Sequence, residues 1–221
     1  MRKKRVTKIF AFVFAFIGIG LLLYTILPIV AFEPLWGTKI TEGYLSPVPE
    51  ESYSLAREVD YTKASSWFPE KEDKEFSPGK ISFYTISIPK IRIDEALVSI
   101  GGEDLKDSLI QYPGTALPGQ VGNAVVFGHS ILPQYYDPKN YLSIFSLLPT
   151  MRKGDQIKVR YDGVTYKYVV DEIFEVLPTD IEILDQNSSG SYITLVTCTP
   201  PGHPLRPKRL IVRARLDPYN S

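Results

Sequence analysis

The chemistry available to this chain centres on its single cysteine. Cys198 ends the run SYITLVTC and is followed at once by TPPGHP, in which proline and glycine stop a strand from continuing. We therefore expect the thiol at the rim of a sheet, where it is suited to act as a nucleophile. The alternative is a packing role, because free cysteine is among the most buried residue types.

One of the two histidines ends a predicted strand in the same way. His129 follows the apolar run NAVVFG, whose last residue, Gly128, permits close approach of the backbone. Taken alone, such a histidine more often has a structural role. A cysteine and a histidine at one rim form a pair suited to nucleophilic attack and proton transfer. The second histidine, His203, lies in a proline-rich turn after the cysteine and is the alternative base.

An arginine follows the cysteine at a spacing that suggests a third member of the site. Arg209 opens the predicted strand RLIVRARL, eleven residues after Cys198, so two strands joined by a loop can place both side chains at one rim. A guanidinium stays charged and presents fixed N–H donors, which suits it to stabilise an oxyanion in acyl transfer. Arg206, in the preceding loop, is the alternative, and a surface salt bridge is the common role of a strand arginine.

The protonation states of such a pair limit the mechanism. With reference pKa values near 8.5 for cysteine and 6.5 for histidine, about 1% of pairs are thiolate plus imidazolium at equilibrium. We expect the charge of Arg209 to lower the thiol pKa and to increase that fraction. Protonated His129 can then donate a proton to a leaving amine.

The elements that must position these residues are short strands. From about Lys80 the sequence breaks into β-branched and aromatic runs bounded by Gly, Pro, Asn or Asp. An Asp-Gly turn predicts that Gln156–Tyr161 and Val164–Val176 pair as an antiparallel hairpin. Short helical pieces fit EDLKDSLIQ and YLSIFSLLPTM, where apolar residues recur three to four apart. Seven or more strands with few helices predict a mainly β domain, a closed or nearly closed barrel.

The N-terminus has the pattern of a membrane anchor. Residues 1–8 include five basic residues, and residues 9–32 form an uncharged run of 24 residues. As a helix this run would span about 36 Å, against a hydrocarbon core of about 30 Å. A cleaved signal peptide, the alternative, would have a shorter apolar stretch and a small-residue cleavage site. The basic residues predict a cytoplasmic N-terminus, with residues 33–221 outside the cell.

Between the anchor and the predicted barrel, residues 33–79 combine proline, glycine, serine and many charges. This composition predicts an extracytoplasmic stalk or linker that is solvated. The alternative is that SYSLAREVDYTKASSWF forms a short helix that folds back on the domain.

Composition also excludes several classes of function. The 25 basic and 25 acidic residues balance, so nothing in the overall charge indicates nucleic acid as a partner. One cysteine and two histidines do not complete a structural zinc site without carboxylates, and we predict no metal and no cofactor.

Together these segments resemble one enzyme family. TLVTCTPPG followed by RLIVRA is similar to the sortase signature of Thr-Leu-x-Thr-Cys, a loop and an arginine leading the last strand, and NAVVFGHS resembles that family's histidine strand. The resemblance covers roughly residues 80–217 and includes the anchor. It implies a closed eight-stranded sortase-type β-barrel over residues 80–221, preceded by one transmembrane helix, with Cys198, His129 and Arg209 as catalytic residues.

The resemblance also implies a reaction. A sortase is a cysteine transpeptidase that cleaves a C-terminal sorting motif similar to LPxTG, between Thr and Gly, through a thioester. The implied partners are a surface protein bearing that motif and an amine acceptor, either a cell-wall precursor or a pilin lysine. Some sortases bind calcium through acidic loop residues. Asp180, Glu182 and Asp185 precede the catalytic strand here, but surface acids are usually only solvated, and we assign no calcium.

Two other classes of function are alternatives to a sortase. Another cysteine enzyme of the cell wall is disfavoured, because papain-like peptidases place cysteine before histidine and L,D-transpeptidases carry a Ser-x-Gly-Cys pattern. The second is a membrane-tethered β module that binds peptide without catalysis and keeps Cys198 for packing. Reactivity of the thiol distinguishes this module from an enzyme.

Overall fold

The structure is a computed structural model that describes residues 2–30, 62–67, 82–186 and 189–218. The chain divides into two compact units, residues 1–39 and 40–221, and each is described by itself. Within the predicted linker, residues 33–61 and 68–79 lie outside the described residues.

The first unit contains one long helix, α1, from Arg2 to Val30. Its segment Phe10–Leu27 is long and apolar enough to cross a membrane, by length and composition. The side chains of this segment are exposed, as those of Phe14 and Phe16 illustrate. The apolar N-terminal helix predicted from the sequence is therefore present.

The second unit is a β-barrel of eight strands. The strands are β1 Phe83–Ile88, β2 Ile93–Ile100, β3 Leu109–Gln111, β4 Gly122–Phe127, β5 Gln156–Tyr161, β6 Val164–Val176, β7 Ser191–Thr199 and β8 Lys208–Leu216. They close in the order β1-β2-β3-β4-β7-β8-β6-β5. The pairs β2/β3 and β4/β7 are parallel and the other pairs are antiparallel. The prediction of a mainly β, closed barrel is confirmed.

The predicted hairpin is also confirmed, at the predicted residues. β5 and β6 pair antiparallel from Gln156 with Val169 to Tyr161 with Val164. Asp162 and Gly163 form the turn with φ of 50° and 75°. Positive φ at both central residues gives the turn twist that matches two antiparallel strands.

The helices of this unit are single 3-10 turns. They are Ala64–Trp67, Pro89–Ile91, Pro133–Tyr135, Leu148–Thr150 and Ile181–Leu184. The predicted helical piece at 141–151 consists of turns that end in one of these 3-10 helices. The piece predicted at 103–111 is wrong: it forms turns followed by β3, because pairing with both β2 and β4 outweighs the local apolar spacing.

Apolar side chains form two cores on opposite faces of the sheet. The barrel interior takes alternate residues of all eight strands, among them Ile86, Val126 and Leu195. A second cluster lies on the outer face and includes Phe127 and Cys198. The cysteine therefore lies on the outer face of the barrel.

Candidate active site

Strand topology brings the three predicted site residues to one rim of the barrel. β4 and β7 are parallel, with Phe127 opposite Val196, so His129 and Cys198 each follow two residues beyond that pair. β8 runs antiparallel to β7 and places Arg209 directly opposite Cys198. Directly opposed residues of an antiparallel pair share a face of the sheet, so the thiol and the guanidinium lie side by side.

Gly128 allows the histidine strand to pass close to the core. A Cβ atom at Gly128 would lie 2.5 Å from Cδ2 of Phe145 and 2.6 Å from Cδ2 of Leu109, distances that real Cβ atoms do not adopt. The backbone N–H of Phe145 donates to the carbonyl oxygen of His129 at 2.9 Å. Close packing therefore excludes a side chain at residue 128, before the histidine. The bond from Phe145 fixes the carbonyl group of the histidine itself.

The guanidinium of Arg209 is held by backbone carbonyls of the loop before β8 and of the first residue of β8. Its Nη1 donates to the carbonyl oxygen of Arg206 at 3.0 Å and to that of Lys208 at 3.3 Å. Arg206 adopts a positive φ of 45°, which is unusual for a residue with a side chain. The two arginines therefore differ in position: Arg209 lies in the strand beside Cys198, and Arg206 supplies a backbone acceptor from the loop.

A tryptophan that sequence reasoning missed covers this site. Trp67 is fully buried, its ring centroid lies 6.0 Å from that of His129, and Cζ of Arg209 lies 5.3 Å from the indole centroid. Its ring also packs 5.5 Å from that of Phe127. Beneath it Cys198 is only 3% exposed, His129 7% and Arg209 0%. The indole therefore shields the thiol, the imidazole and the guanidinium from solvent.

Residues 62–67, here called the cover segment, are attached to the loop between β2 and β3. The N–H of Ala64 donates to the carbonyl oxygen of Glu103 at 3.1 Å, and the N–H of Leu105 donates to that of Thr62 at 3.0 Å. These two bonds form an isolated β-bridge centred on Lys63. The cover segment is therefore packed against the barrel and is not a solvated spacer. The available signal was the aromatic pair Trp67–Phe68 in ASSWF, directly before the charged run PEKEDKE.

Burial sets the protonation state of the thiol in this covered arrangement. Burial raises the pKa of the Cys198 thiol, while the positive charges of Arg209 and then Arg206 lower it in part, and the net shift is upward. The lowering effect expected of Arg209 is present, but loss of hydration outweighs the charges of both arginines and the thiol pKa stays above its ordinary value. The covered thiol is protonated at neutral pH.

Neutralising the arginines should raise the thiol pKa further, and Arg209→Gln should raise it more than Arg206→Gln. The physical reason is that Arg209 is the strand partner of Cys198 and has the larger effect on its pKa. The pH dependence of alkylation by iodoacetamide measures the shift at the single cysteine. Arg209→Lys keeps the charge and is the matched control. A larger shift for Arg206→Gln would assign the main electrostatic role to the loop arginine.

The remaining candidates from the sequence lie elsewhere in loops. His203 accepts a hydrogen bond from the N–H of Leu205 on its Nδ1 at 3.2 Å, within its own turn. Asp180 accepts from the N–H of Leu177 at 2.8 Å. Within the described ranges, no group of three or more His, Cys, Asp or Glu residues is arranged to hold a metal ion.

One wall of the outer face is built by the loop between β6 and β7. Ile183 and Leu184 pack into the outer cluster with the cysteine. Oε1 of Gln186 accepts from the N–H groups of Ala116 and Asn123, both at 3.0 Å, and Nδ2 of Asn123 donates to the carbonyl oxygen of Ile183 at 2.9 Å. Two amide side chains thus fasten this loop to the start of β4. Nothing in the local sequence around Gln186 predicts such long-range bonds.

Comparison with known proteins identifies the barrel. Residues 86–217, more than half of the chain, match the family model described as the sortase domain. The chain belongs to the sortase family. A solved structure, described as a Clostridium perfringens Sortase D5 transpeptidase, superposes with a TM-score of 0.53 at 28% identity, covering 65% of this chain and 82% of that one. The sortase-type barrel implied by the sequence resemblance is confirmed.

Two relatives show how far the similarity extends. The chain is 27% identical over 133 residues to Sortase A of Streptococcus agalactiae serotype III (strain NEM316), covering 60% of this chain and 51% of that protein. It is 30% identical over 128 residues to Sortase A of Staphylococcus aureus (strain NCTC 8325 / PS 47), covering 50% of this chain and 58% of that protein. The chain therefore spans about half the length of the curated relatives it matches.

Proposed function

We propose that this sortase family member is a cysteine transpeptidase, with Cys198 as nucleophile, His129 as proton donor and acceptor, and Arg209 as oxyanion stabiliser. The proposal is carried by one observation: the ends of β4 and β7 and the start of β8 bring these residues to one rim, with Cys198 directly opposite Arg209. The substrate is a surface protein with a C-terminal motif similar to LPxTG.

The reaction follows from the roles of the three side chains. The Cys198 thiol first gives its proton to His129, and the sulfur then attacks the threonine carbonyl carbon while the N–H donors of Arg209 stabilise the charge that develops on the carbonyl oxygen. His129 donates its proton to the nitrogen of the leaving glycine, so the Thr–Gly bond breaks and a thioester remains. An acceptor amine then attacks the thioester and loses a proton to His129. The C–S bond breaks as the new amide forms, and the released sulfur takes the proton back from His129. Attack by water instead gives hydrolysis as a side reaction.

The acceptor and the position in the membrane belong to the same proposal. The acceptor is an amine of a cell-wall precursor or a pilin lysine. Residues 1–8 are the cytoplasmic tail, residues 9–32 the anchor, residues 33–79 the extracytoplasmic linker and residues 80–221 the catalytic domain. An N-terminal basic cluster before an apolar run supports this orientation. The measurement of this orientation is digestion of the domain at residues 80–221 by a protease added to intact cells.

A peptide assay on the full chain in detergent tests the proposed reaction. The substrates are a library of five-residue motifs with flanking residues, supplied with and without an amine acceptor. We expect cleavage after threonine, an amide product when the acceptor is present, and a mass increase on Cys198 equal to the acyl fragment when it is absent. Cross-linking of peptidoglycan stem peptides without motif cleavage would instead indicate an L,D-transpeptidase.

A second candidate, the non-catalytic peptide-binding module, is favoured by the burial of the thiol. Cys198 is 3% exposed and its pKa is raised, as expected for a packing residue. The two candidates differ once the cover segment is displaced. An enzyme then forms the acyl adduct on Cys198, whereas a binding module retains the peptide intact.

A further inference from the structure

Side-chain hydroxyls join β4 and β7 beyond the end of their ladder. The last paired residues of the two strands are Phe127 and Val196, and the N–H of Gly128 still donates to the carbonyl oxygen of Val196 at 3.1 Å. Past that bond, Oγ1 of Thr197 donates to the carbonyl oxygen of Gly128 at 2.8 Å. Thr197 is fully buried, so this hydroxyl is a structural link between the strand ends.

Ser130 makes the next link, on the far side of the catalytic pair. It directly follows His129, and its Oγ donates to the carbonyl oxygen of Cys198 at 2.7 Å. The exposed fraction is 8% for Ser130 and 3% for Cys198. The two hydroxyl bonds therefore lie on either side of the histidine and the cysteine. In this region β4 and β7 are no longer paired residue by residue.

Two backbone hydrogen bonds next to the histidine have different partners. The carbonyl oxygen of His129 accepts from the N–H of Phe145 at 2.9 Å, and the N–H of Ile131 donates to Oγ of Ser146 at 2.8 Å. Both bonds tie the histidine loop to residues 145–146 and not to β7. The Ser130 hydroxyl, one residue after the histidine, is the group that bonds the cysteine's own carbonyl oxygen.

We propose that Ser130 is a positioning residue, whose hydroxyl bond to the Cys198 carbonyl sets the separation of the imidazole and the thiol. The inference rests on the proposed function, because it assigns a role within the same catalytic pair. Proton transfer needs donor and acceptor atoms within hydrogen-bond reach, and small displacements of catalytic groups lower rates strongly. A bond one residue from the histidine, made to the cysteine itself, controls that distance directly.

Removing the hydroxyl should slow the chemical step without weakening substrate binding. Ser130→Ala is expected to lower kcat about tenfold with KM within about a factor of two, because a small displacement of the imidazole from the thiol slows the chemical step. Ser130→Thr keeps a hydroxyl and should restore most of kcat. Ser108→Ala is the matched control, because Ser108 is 4% exposed and its Oγ bonds Ser99 at 2.9 Å, outside the site.

The pH profile separates positioning from a general loss of folded protein. In Ser130→Ala the midpoints of kcat/KM against pH should shift, since the thiol and the imidazole interact less closely. A merely structural loss lowers the active fraction and leaves both midpoints in place. Histidine NMR supports the assignment, because the chain has only His129 and His203, and His203→Gln identifies their resonances.

The proposal is overturned if Ser130→Ala keeps the wild-type kcat, or if kcat falls with unchanged pH midpoints and Ser130→Thr does not restore it. Failure of the proposed function is a separate outcome, namely no acyl adduct on wild-type Cys198. In that case the pH midpoint of Cys198 alkylation still tests Ser130, because it needs no peptide. An upward shift in Ser130→Ala, absent in Ser108→Ala, supports the positioning role, and no shift refutes it.

Discussion

Cys198→Ala and His129→Ala should each abolish transpeptidation, with turnover falling by about 10³-fold or more. Without the sulfur no thioester forms, and loss of a positioned acid–base group alone costs about 10²–10⁴-fold. The measurement is the rate of appearance of the amide product under single-turnover conditions. The acyl adduct should be absent from Cys198→Ala and should form only very slowly in His129→Ala.

Matched variants show whether the loss of turnover is specific to Cys198 and His129. His203→Ala removes the other histidine, which lies in its own turn, and should retain wild-type turnover. Alkylation of Cys198 should persist in His129→Ala, because the thiol itself is intact. Cleavage by Cys198→Ala at the wild-type single-turnover rate would end the assignment of the nucleophile. Loss of turnover in His203→Ala, with normal turnover in His129→Ala, would exchange the roles of the two histidines.

The convergence of His129, Cys198 and Arg209 at one rim could be predicted because it depends on where strands end. Proline and glycine after Cys198 and the apolar run before His129 are local signals, and the Asp-Gly turn at 162–163 fixes the β5–β6 register. Parallel pairing of β4 and β7 then brings two strand ends together. Local sequence contains these signals, and the number of short strands favours a closed barrel because closure removes exposed strand edges.

The features that could not be predicted depend on contacts between distant residues. Trp67 lies in a stretch whose composition indicates solvation, and only the completed outer face gives its ring a site to bury in. The Gln186 bonds to Asn123 and the Ser130 bond to Cys198 join residues more than sixty positions apart. The direction of the thiol pKa depends on the same burial, so sequence reasoning found the arginine effect but not the net shift.

Burial of the thiol and its raised pKa have one common cause, which is the covering of the outer face. The cover segment fills this surface and is held there by backbone hydrogen bonds, by burial of Ala64 and by contacts of the Trp67 indole. A reactive thiol that is covered and protonated is protected from alkylation and oxidation. Reactivity of Cys198 is therefore expected to depend on the position of Trp67.

Trp67→Ala should increase the rate of Cys198 alkylation on the order of 10²-fold. Truncating a buried tryptophan costs about 3–5 kcal/mol, and each 1.4 kcal/mol taken from the covered state increases the uncovered population about tenfold until it saturates. Hydration of the uncovered thiol should also lower its pKa, because burial is the main cause of the upward shift. The midpoint of alkylation against pH should therefore move down in Trp67→Ala.

Three further variants separate uncovering of the site from unfolding. Trp36→Ala removes the other tryptophan and should leave the alkylation rate unchanged. Trp67→Phe keeps an aromatic ring and should give an intermediate rate. Ala64→Pro removes the N–H that donates to Glu103 and should also increase alkylation, although the indole is intact. Thermal denaturation establishes that each variant is folded. A folded Trp67→Ala protein with the wild-type alkylation rate and pH midpoint would show that the indole does not restrict access to the thiol.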